Sequence, residues 1–263
     1  MDLGLKDKSV IVLASSKGLG KATANQFASE GARVYLASRD EDALEKAAAE
    51  IREETGNPNV AYSVCDIKND DSIKQLVAKA VRDYGSVDVL VNNAGGPPAG
   101  TFDDVDDDAW QHAFELNLLS FIRAIREVLP YMREQGGGHI LNFASSSIKQ
   151  PIDGLILSNT FRAGITGLAK SLSQELAGDN ILINTIGPGR IGTDRVDHLD
   201  SVQSEKLGMP IEEVREKAES KIPIGRYGEP EEFARTAVFL CSQANTYVTG
   251  QSLLVDGGMV KAL

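Results

Sequence analysis

The chain is poor in aromatic side chains, at 6% of its 263 residues, and it has only two cysteines and three histidines. Cys65 and Cys241 lie far apart in no metal-ligand spacing, so both are expected as buried free thiols. His112, His139 and His198 are just as scattered, and no metal site is expected from them. No apolar run approaches the ~20 residues of a membrane-spanning helix, and the opening stretch through Leu5 and Lys6 lacks a signal-peptide core. Positive charge is also in deficit. Lys and Arg number 27 against 38 Asp and Glu, a net charge of −11 that leaves no basic face for nucleic acid or an anionic membrane. What remains is the expectation of a soluble, cytoplasmic protein whose partners are small molecules. Its length suits one domain over residues 1–263 with a large core.

Glycine, by contrast, is frequent at 25 residues, and short β-branched runs alternate with longer helical patterns. Strands are expected at Ser9 to Ala14, Ala32 to Ala37, Asn59 to Cys65, Val87 to Val91, His139 to Ala144 and Ile181 to Ile186. Helices are expected at Gly18 to Glu30, Asp40 to Glu54, Asp70 to Tyr84, Asp106 to Arg133 and Leu157 to Ala177. This alternation implies right-handed βαβ crossovers, hence an α/β fold with a doubly wound parallel sheet, Rossmann-like. The acidic run Asp103 to Asp108 precedes a helix and reads as N-capping with favourable charge at the helix start. Residues 194–222 are polar and strandless, with one short helix expected at Ile211 to Ser220. An insertion after the carboxyl end of a strand sits where a substrate lid would.

After the first strand comes Ala14-Ser15-Ser16-Lys17-Gly18-Leu19-Gly20. A dinucleotide needs a tight turn whose backbone approaches its pyrophosphate at a helix N-terminus, and Gly18 and Gly20 supply two such approaches. The second strand ends at Ser38-Arg39, with no carboxylate to bind an adenine-ribose 2′-hydroxyl. Two cations, Lys17 and Arg39, with the Ser16 hydroxyl suit a 2′-phosphate, so NADP(H) is expected over NAD(H). Asp40 is assigned to capping the next helix.

Further on lie Asn92-Asn93-Ala94-Gly95, Asn117, Ser145, Ser158-Asn159-Thr160-Phe161-Arg162 and Pro188-Gly189-Arg190-Ile191-Gly192-Thr193. With the glycine turn, this set resembles the short-chain dehydrogenase/reductase family along nearly the whole chain, and most of all its 3-oxoacyl-[acyl-carrier-protein] reductase-like branch. The resemblance implies that Ser15 to Gly20, Ser38, Arg39, Asp66, Asn93, Ala94, Gly95, Pro188, Gly189, Ile191 and Thr193 bind the cofactor. Asp66 would face the adenine amino group, and Ile191 and Thr193 the nicotinamide carboxamide. It also implies that Ser145 polarises a carbonyl, that Asn117 anchors a relay water, and that the protein is a homotetramer. Two departures stand out. Ala14 replaces the first glycine of the family's turn, which is expected only if its φ is negative. In the family a Tyr follows the Ser by thirteen residues and a Lys follows that Tyr by four. Here those positions hold Ser158 and Arg162.

Hydride transfer to a carbonyl leaves an oxygen that needs a proton. A Ser hydroxyl is a far weaker acid than a phenol, and Arg in practice keeps its proton, although Arg162 can still hold ribose hydroxyls. The proton source is therefore expected to be a water or Ser158, and next Lys149. Two functions remain open. One is an NADP(H)-dependent oxidoreductase interconverting a carbonyl, a 3-oxoacyl group by resemblance, with an alcohol. The other is a weakly active or inactive NADP(H)-binding sensor or interaction protein. Arg190 and Arg195, near the lid, are candidates to meet an anionic group on the substrate.

Overall fold

A computed structural model describes residues 2–262. Seven parallel strands form one sheet: β1 (Ser9–Leu13), β2 (Arg33–Ser38), β3 (Val60–Val64), β4 (Val89–Asn92), β5 (Gly138–Phe143), β6 (Ile181–Pro188) and β7 (Ser252–Val255). Their order is β3-β2-β1-β4-β5-β6-β7, so the chain runs outward from β1 in one direction and then returns to build from β4 in the other. The helices are α1 (Gly18–Ser29), α2 (Glu41–Thr55), α3 (Asp70–Tyr84), α4 (Asp107–Phe114), α5 (Ser120–Glu134), α6 (Ile156–Glu175), α7 (Asp194–Leu207), α8 (Ile211–Glu219) and α9 (Pro230–Leu240).

Alternation along β1 explains the two layers of helices. Val10 and Val12 join a buried cluster with Phe27 of α1, Leu44 of α2 and Phe233 of α9. Ile11 and Leu13 point the other way, into a second cluster with Ile73 of α3, Phe121 of α5 and Ile165 of α6. Both faces of the central strands are thus apolar, which is why they read as continuous β-branched runs. The expected Rossmann-like sheet is present. No helix among the described residues is long and apolar enough to cross a membrane.

Three elements differ from the sequence expectation. The helix expected over Asp106 to Arg133 is broken by a π-helical turn, Glu115–Leu119. The segment 194–222 carries α7 as well as the short α8, because α7 lacks the apolar stripe that would announce it. α9 was signalled by Pro230 at its first position and by a reciprocal Glu229–Glu232 capping box, but the strand–helix alternation did not include it. The acidic run does cap, as expected. Thr101 and Asp104 form a capping box, and the Asp106 carboxylate accepts from Ala109 N at 2.9 Å.

Candidate active site

Because the strands are parallel, all of their carboxyl ends meet along one edge. The reversal of order between β1 and β4 opens a crevice there. The turn after β1 forms one wall. Gly18 has φ +56°, a conformation that favours glycine. A Cβ on Gly20 would lie 2.8 Å from Asn93 Nδ2 and closer still to the Ala14 carbonyl oxygen, so only glycine lets α1 start this near the loop after β4. Asp40, Asn69 and Asp106 each cap their helices with a side-chain oxygen, whereas α1 begins at Lys17 with no side-chain cap. Its first N–H groups are left free for an anion, which fits the pyrophosphate of a dinucleotide.

Two expectations for this turn need correction. Ala14 has φ +47°, not the negative value that would make alanine comfortable. It is held there by Asn93 Nδ2, which donates to the Ala14 carbonyl at 3.1 Å. Ser15 is not free to bind a cofactor. Its N–H donates to Ala37 O, and its buried hydroxyl donates to Val12 O at 2.7 Å and accepts from Ala37 N at 3.0 Å. Ser15 thus locks β1 to β2, because a fully buried hydroxyl must be satisfied inside the protein.

Ser16 and Ser38 meet as expected, their hydroxyls 3.1 Å apart, with Arg39 exposed beside them. Asp40 is turned to its cap, accepting from Ala43 N at 3.1 Å. Lys17 points elsewhere: its ammonium lies 3.5 Å from the Asp194 carboxylate at the start of α7, with both side chains exposed. Asp66 follows β3, half-buried, with Oδ1 accepting from Lys68 N.

The loop after β4 is the floor of the crevice. Asn92 donates to Asn142 Oδ1 at 2.9 Å, tying β4 to β5 at the register position where they face each other. Asn117 Nδ2 donates to Gly95 O at 2.8 Å. The π-helical turn, with its extra residue, puts Asn117 in this fully buried place, and its Oδ1 has no partner. Ser145 follows β5 with an extended backbone and accepts from Ser147 N at 3.2 Å. Ser158 lies half-buried in the first turn of α6, and Arg162 is one turn further along the same face. Lys149 is exposed.

Arg162 is 5% exposed. Its Nη1 donates to Phe143 O at 2.7 Å and its Nη2 to Ala94 O at 3.3 Å. No carboxylate among the described residues pairs with it. Burial first, and then the nearby Arg195, pull its pKa down to about 10.

Across the crevice, Pro188–Gly189 packs on the end of β7, where a Cβ on Gly189 would meet Asp256 Cα at 2.7 Å. Ile191 is buried and pairs with Gly228, which fixes the segment that leads to Thr193. Gly18 faces Thr193 across the opening, since a Cβ on Gly18 would lie 3.8 Å from Thr193 Cγ2. The structure thus gathers Ser16, Gly18, Gly20, Ser38, Asn93, Ala94, Gly95, Asn117, Ser145, Ser158, Arg162, Ile191 and Thr193 along one edge of the sheet.

Of the two candidate arginines near the lid, Arg190 is already paired. It donates to Asp200, which is fully buried, and to Tyr227 Oη at 3.3 Å, while Tyr227 Oη donates to Asp200 Oδ2 at 2.9 Å. A buried carboxylate requires such partners. Sequence reasoning missed this Arg190–Asp200–Tyr227 set because Asp200 and Tyr227 lie outside any motif and Arg190 was read as meeting the substrate. Arg195 has no such partner. Its Nη2 donates to Pro97 O at 3.2 Å, and its guanidinium lies against Gly96.

Residues 13–260 match the family model described as Enoyl-(Acyl carrier protein) reductase. The chain is 36% identical over 257 residues to a 3-oxoacyl-[acyl-carrier-protein] reductase of Thermotoga maritima, covering 97% of this chain and 99% of that protein. Its fold is similar to that of L-sorbose reductase from Gluconobacter frateurii, solved with NADPH and L-sorbose. The TM-score is 0.95, with 34% identity and full coverage of both chains. It is also similar to the apo structure of a short-chain oxidoreductase from Pseudomonas aeruginosa PAO1 described as containing an atypical catalytic center. Here the TM-score is 0.90 and the identity 27%, over 99% of this chain and 100% of that one. With this coverage, and with the glycine turn, the Asn92 to Gly95 loop and Ser145 all set on one edge of a parallel sheet, the chain belongs to the short-chain dehydrogenase/reductase family of nicotinamide-dependent oxidoreductases.

Proposed function

We propose that this protein is an NADP(H)-dependent oxidoreductase interconverting a small carbonyl compound and its alcohol, with a proton route that does not use the family's Tyr. One observation carries the choice of NADP(H). The Ser16 and Ser38 hydroxyls meet at the end of β2 beside exposed Arg39, while the nearest carboxylate, Asp40, is held in its helix cap. That corner accepts a 2′-phosphate and lacks the acidic group that would repel one. L-sorbose reductase, of similar fold, was solved with NADPH.

Bound along the floor of the crevice, the nicotinamide would supply or take the hydride. The chain's own residues do the rest. Ser145 Oγ donates to the reacting oxygen. Asn117 Oδ1, buried and unpartnered, accepts from a water that carries protons inward. Arg162 takes the place of the family's Lys and holds ribose hydroxyls while it pins the loop at Ala94. Ser158 takes the place of the Tyr, and Ser158 Oγ or a water beside it hands over the proton. The atypical catalytic center described for the Pseudomonas protein supports a working site of unusual composition within this fold. The segment carrying α7 and α8 is the lid. The protein is cytoplasmic and a homotetramer, joined through α4 to α6 and through β7. Exposed Tyr247, Val248 and Leu253 beside and on β7 support that interface, and a monomer mass in solution would refute it.

The test is NADPH oxidation across ketones, diketones and 3-oxoacyl thioesters, with cofactor affinity measured alongside. The expected outcome is turnover and tighter binding of NADPH than of NADH. Equal or tighter NADH binding overturns the cofactor assignment. Tight NADPH binding without turnover on any substrate identifies a sensor, the reading favoured by the missing phenol. Ser158→Tyr combined with Arg162→Lys restores the family pair. No gain on simple ketones shows that the proton donor has been replaced rather than lost.

A further inference from the structure

Arg162 and Arg195 are cations that the fold leaves without anions. Arg162 is 5% exposed and bonds only to the carbonyls of Phe143 and Ala94. Arg195 is an exposed residue at the rim whose guanidinium is partly covered where it bonds to the carbonyl of Pro97. Neither forms an ion pair among the described residues, although Arg190 and Arg215, its neighbours along the lid, both reach carboxylates. The carbonyls that hold the pair, Ala94 O and Pro97 O, are three residues apart on the loop that floors the crevice. Their Cα atoms are thus at most about 10 Å apart. The Arg195 charge is felt at Arg162, and burial holds both guanidinium groups below their usual pKa. Two like charges held on one short loop, one of them buried, are costly unless an anion offsets them.

No described residue supplies that anion. Asp194, beside Arg195 in the chain, faces Lys17 instead. The start of α1, where the pyrophosphate would lie, meets Thr193 and Asp194, whereas the Arg195 guanidinium lies against Gly96 and Pro97. An anion that also offsets the buried charge of Arg162, one turn along α6 from Ser158, sits close to the reacting carbon. A phosphate at the far end of a long acyl-carrying arm would not reach there.

We infer that the substrate is a keto acid, whose carboxylate pairs with Arg195 at the rim, above the buried charge of Arg162, while its carbonyl meets Ser145. This rests on the oxidoreductase reading and narrows its substrate class. The small side chain at Ser158 fits the inference, because a phenol there would fill space that the carboxylate needs. A charge-assisted guanidinium–carboxylate pair supplies orientation as well as affinity.

The test uses the full-length protein saturated with NADP+, where a ketone binds but cannot be reduced. Calorimetric titration compares 2-oxobutanoate, 3-oxobutanoate and 4-oxopentanoate with their methyl esters. At least one acid is expected to bind about tenfold or more tightly than its ester. Arg195→Gln is expected to abolish that preference, and Arg195→Lys to restore part of it, while NADP+ affinity changes less than twofold in both. Equal binding of acids and esters overturns the inference. So does an Arg195→Gln variant that loses NADP+ in proportion, since Arg195 would then serve the cofactor. Failure of the wild-type protein to bind NADP+ refutes the oxidoreductase reading instead. In that case the same titration on the free protein decides the carboxylate pairing, whose absence there overturns it.

Discussion

Ala14 gives the sharpest test of how the turn after β1 is built. Its φ of +47° places an L-residue in the left-handed region, at a cost of about 1–2 kcal/mol. Ala14→Gly removes that cost. Against it stand the extra freedom of glycine in the unfolded chain, about 0.4–1 kcal/mol, and the loss of a half-buried methyl, about 0.4 kcal/mol. The balance is a gain of about 0.5 kcal/mol, or roughly 1–2 °C in Tm for a chain of this size. Ala14→Val moves the other way, because a β-branched side chain is a poorer occupant of this region. It should lower Tm by more than glycine raises it. Differential scanning calorimetry on the three proteins measures both shifts. The Asn93 side-chain amide donates to the main-chain carbonyl of residue 14, so this bond persists in all of them. A fall in Tm for Ala14→Gly together with a neutral Ala14→Val would show that the positive φ stores no strain.

Three further outcomes are expected. Gly20→Ala puts a methyl against Asn93 Nδ2 and the Ala14 carbonyl, costs about 1–3 kcal/mol, and weakens NADPH binding; an unchanged urea midpoint would contradict the close packing. Asp200→Ala strips the buried acceptor from Arg190 and Tyr227. Because Arg190 is 32% exposed and can rehydrate, the loss should be about 2 kcal/mol rather than the 3–5 kcal/mol of a fully buried pair. Limited proteolysis within residues 194–222 should accelerate, and unchanged cleavage there would argue that the set does not anchor the lid. His139 donates from Nε2 to Asn245 O at 3.2 Å, and burial, outweighing that bond, lowers its pKa. Protonation therefore favours the unfolded chain. Stability is intact above the unfolded value of about 6.5 and is lost as pH falls through it, by at most about 1.4 kcal/mol per pH unit. His139→Gln keeps a donor that does not titrate, so its Tm should fall less than that of the wild type between pH 7.5 and 5.5. Parallel curves would remove His139 as a cause.

The sheet was legible because its central strands are buried on both faces, so Val10 to Leu13 and Val34 to Ala37 read as unbroken apolar runs. Strand ends then located the crevice, and the resemblance to the family's motifs picked out Ser145, Asn117 and the Asn92 to Gly95 loop. The remainder depended on interactions that leave no periodic trace. The π-helical turn at Glu115–Leu119 contains neither Pro nor Gly, and one extra residue does not disturb a helical pattern, yet it is this turn that buries Asn117. α7 gave no amphipathic signal because what it buries is a carboxylate, Asp200, and a rule that looks for buried apolar residues passes over it. Ser15 looked like a ligand because it lies in a ligand-binding turn. Only the structure shows its hydroxyl consumed between Val12 and Ala37.

Arg162 joins the architecture of the crevice to its chemistry. A lysine at that position has one ammonium to place, whereas the guanidinium of Arg162 reaches Phe143 O at the end of β5 and Ala94 O in the loop after β4 at once. The fork geometry suits this double anchoring, and the loop it holds is the one on which the cofactor would lie. Arg162→Lys alone should therefore disturb the loop, releasing one of the two carbonyls, before it changes any proton affinity. On the proposed reading, Ser158 and Arg162 then belong together. On that reading no phenol is present to need a lysine that lowers its pKa, and Arg162 braces the floor while keeping a buried positive charge beneath the crevice.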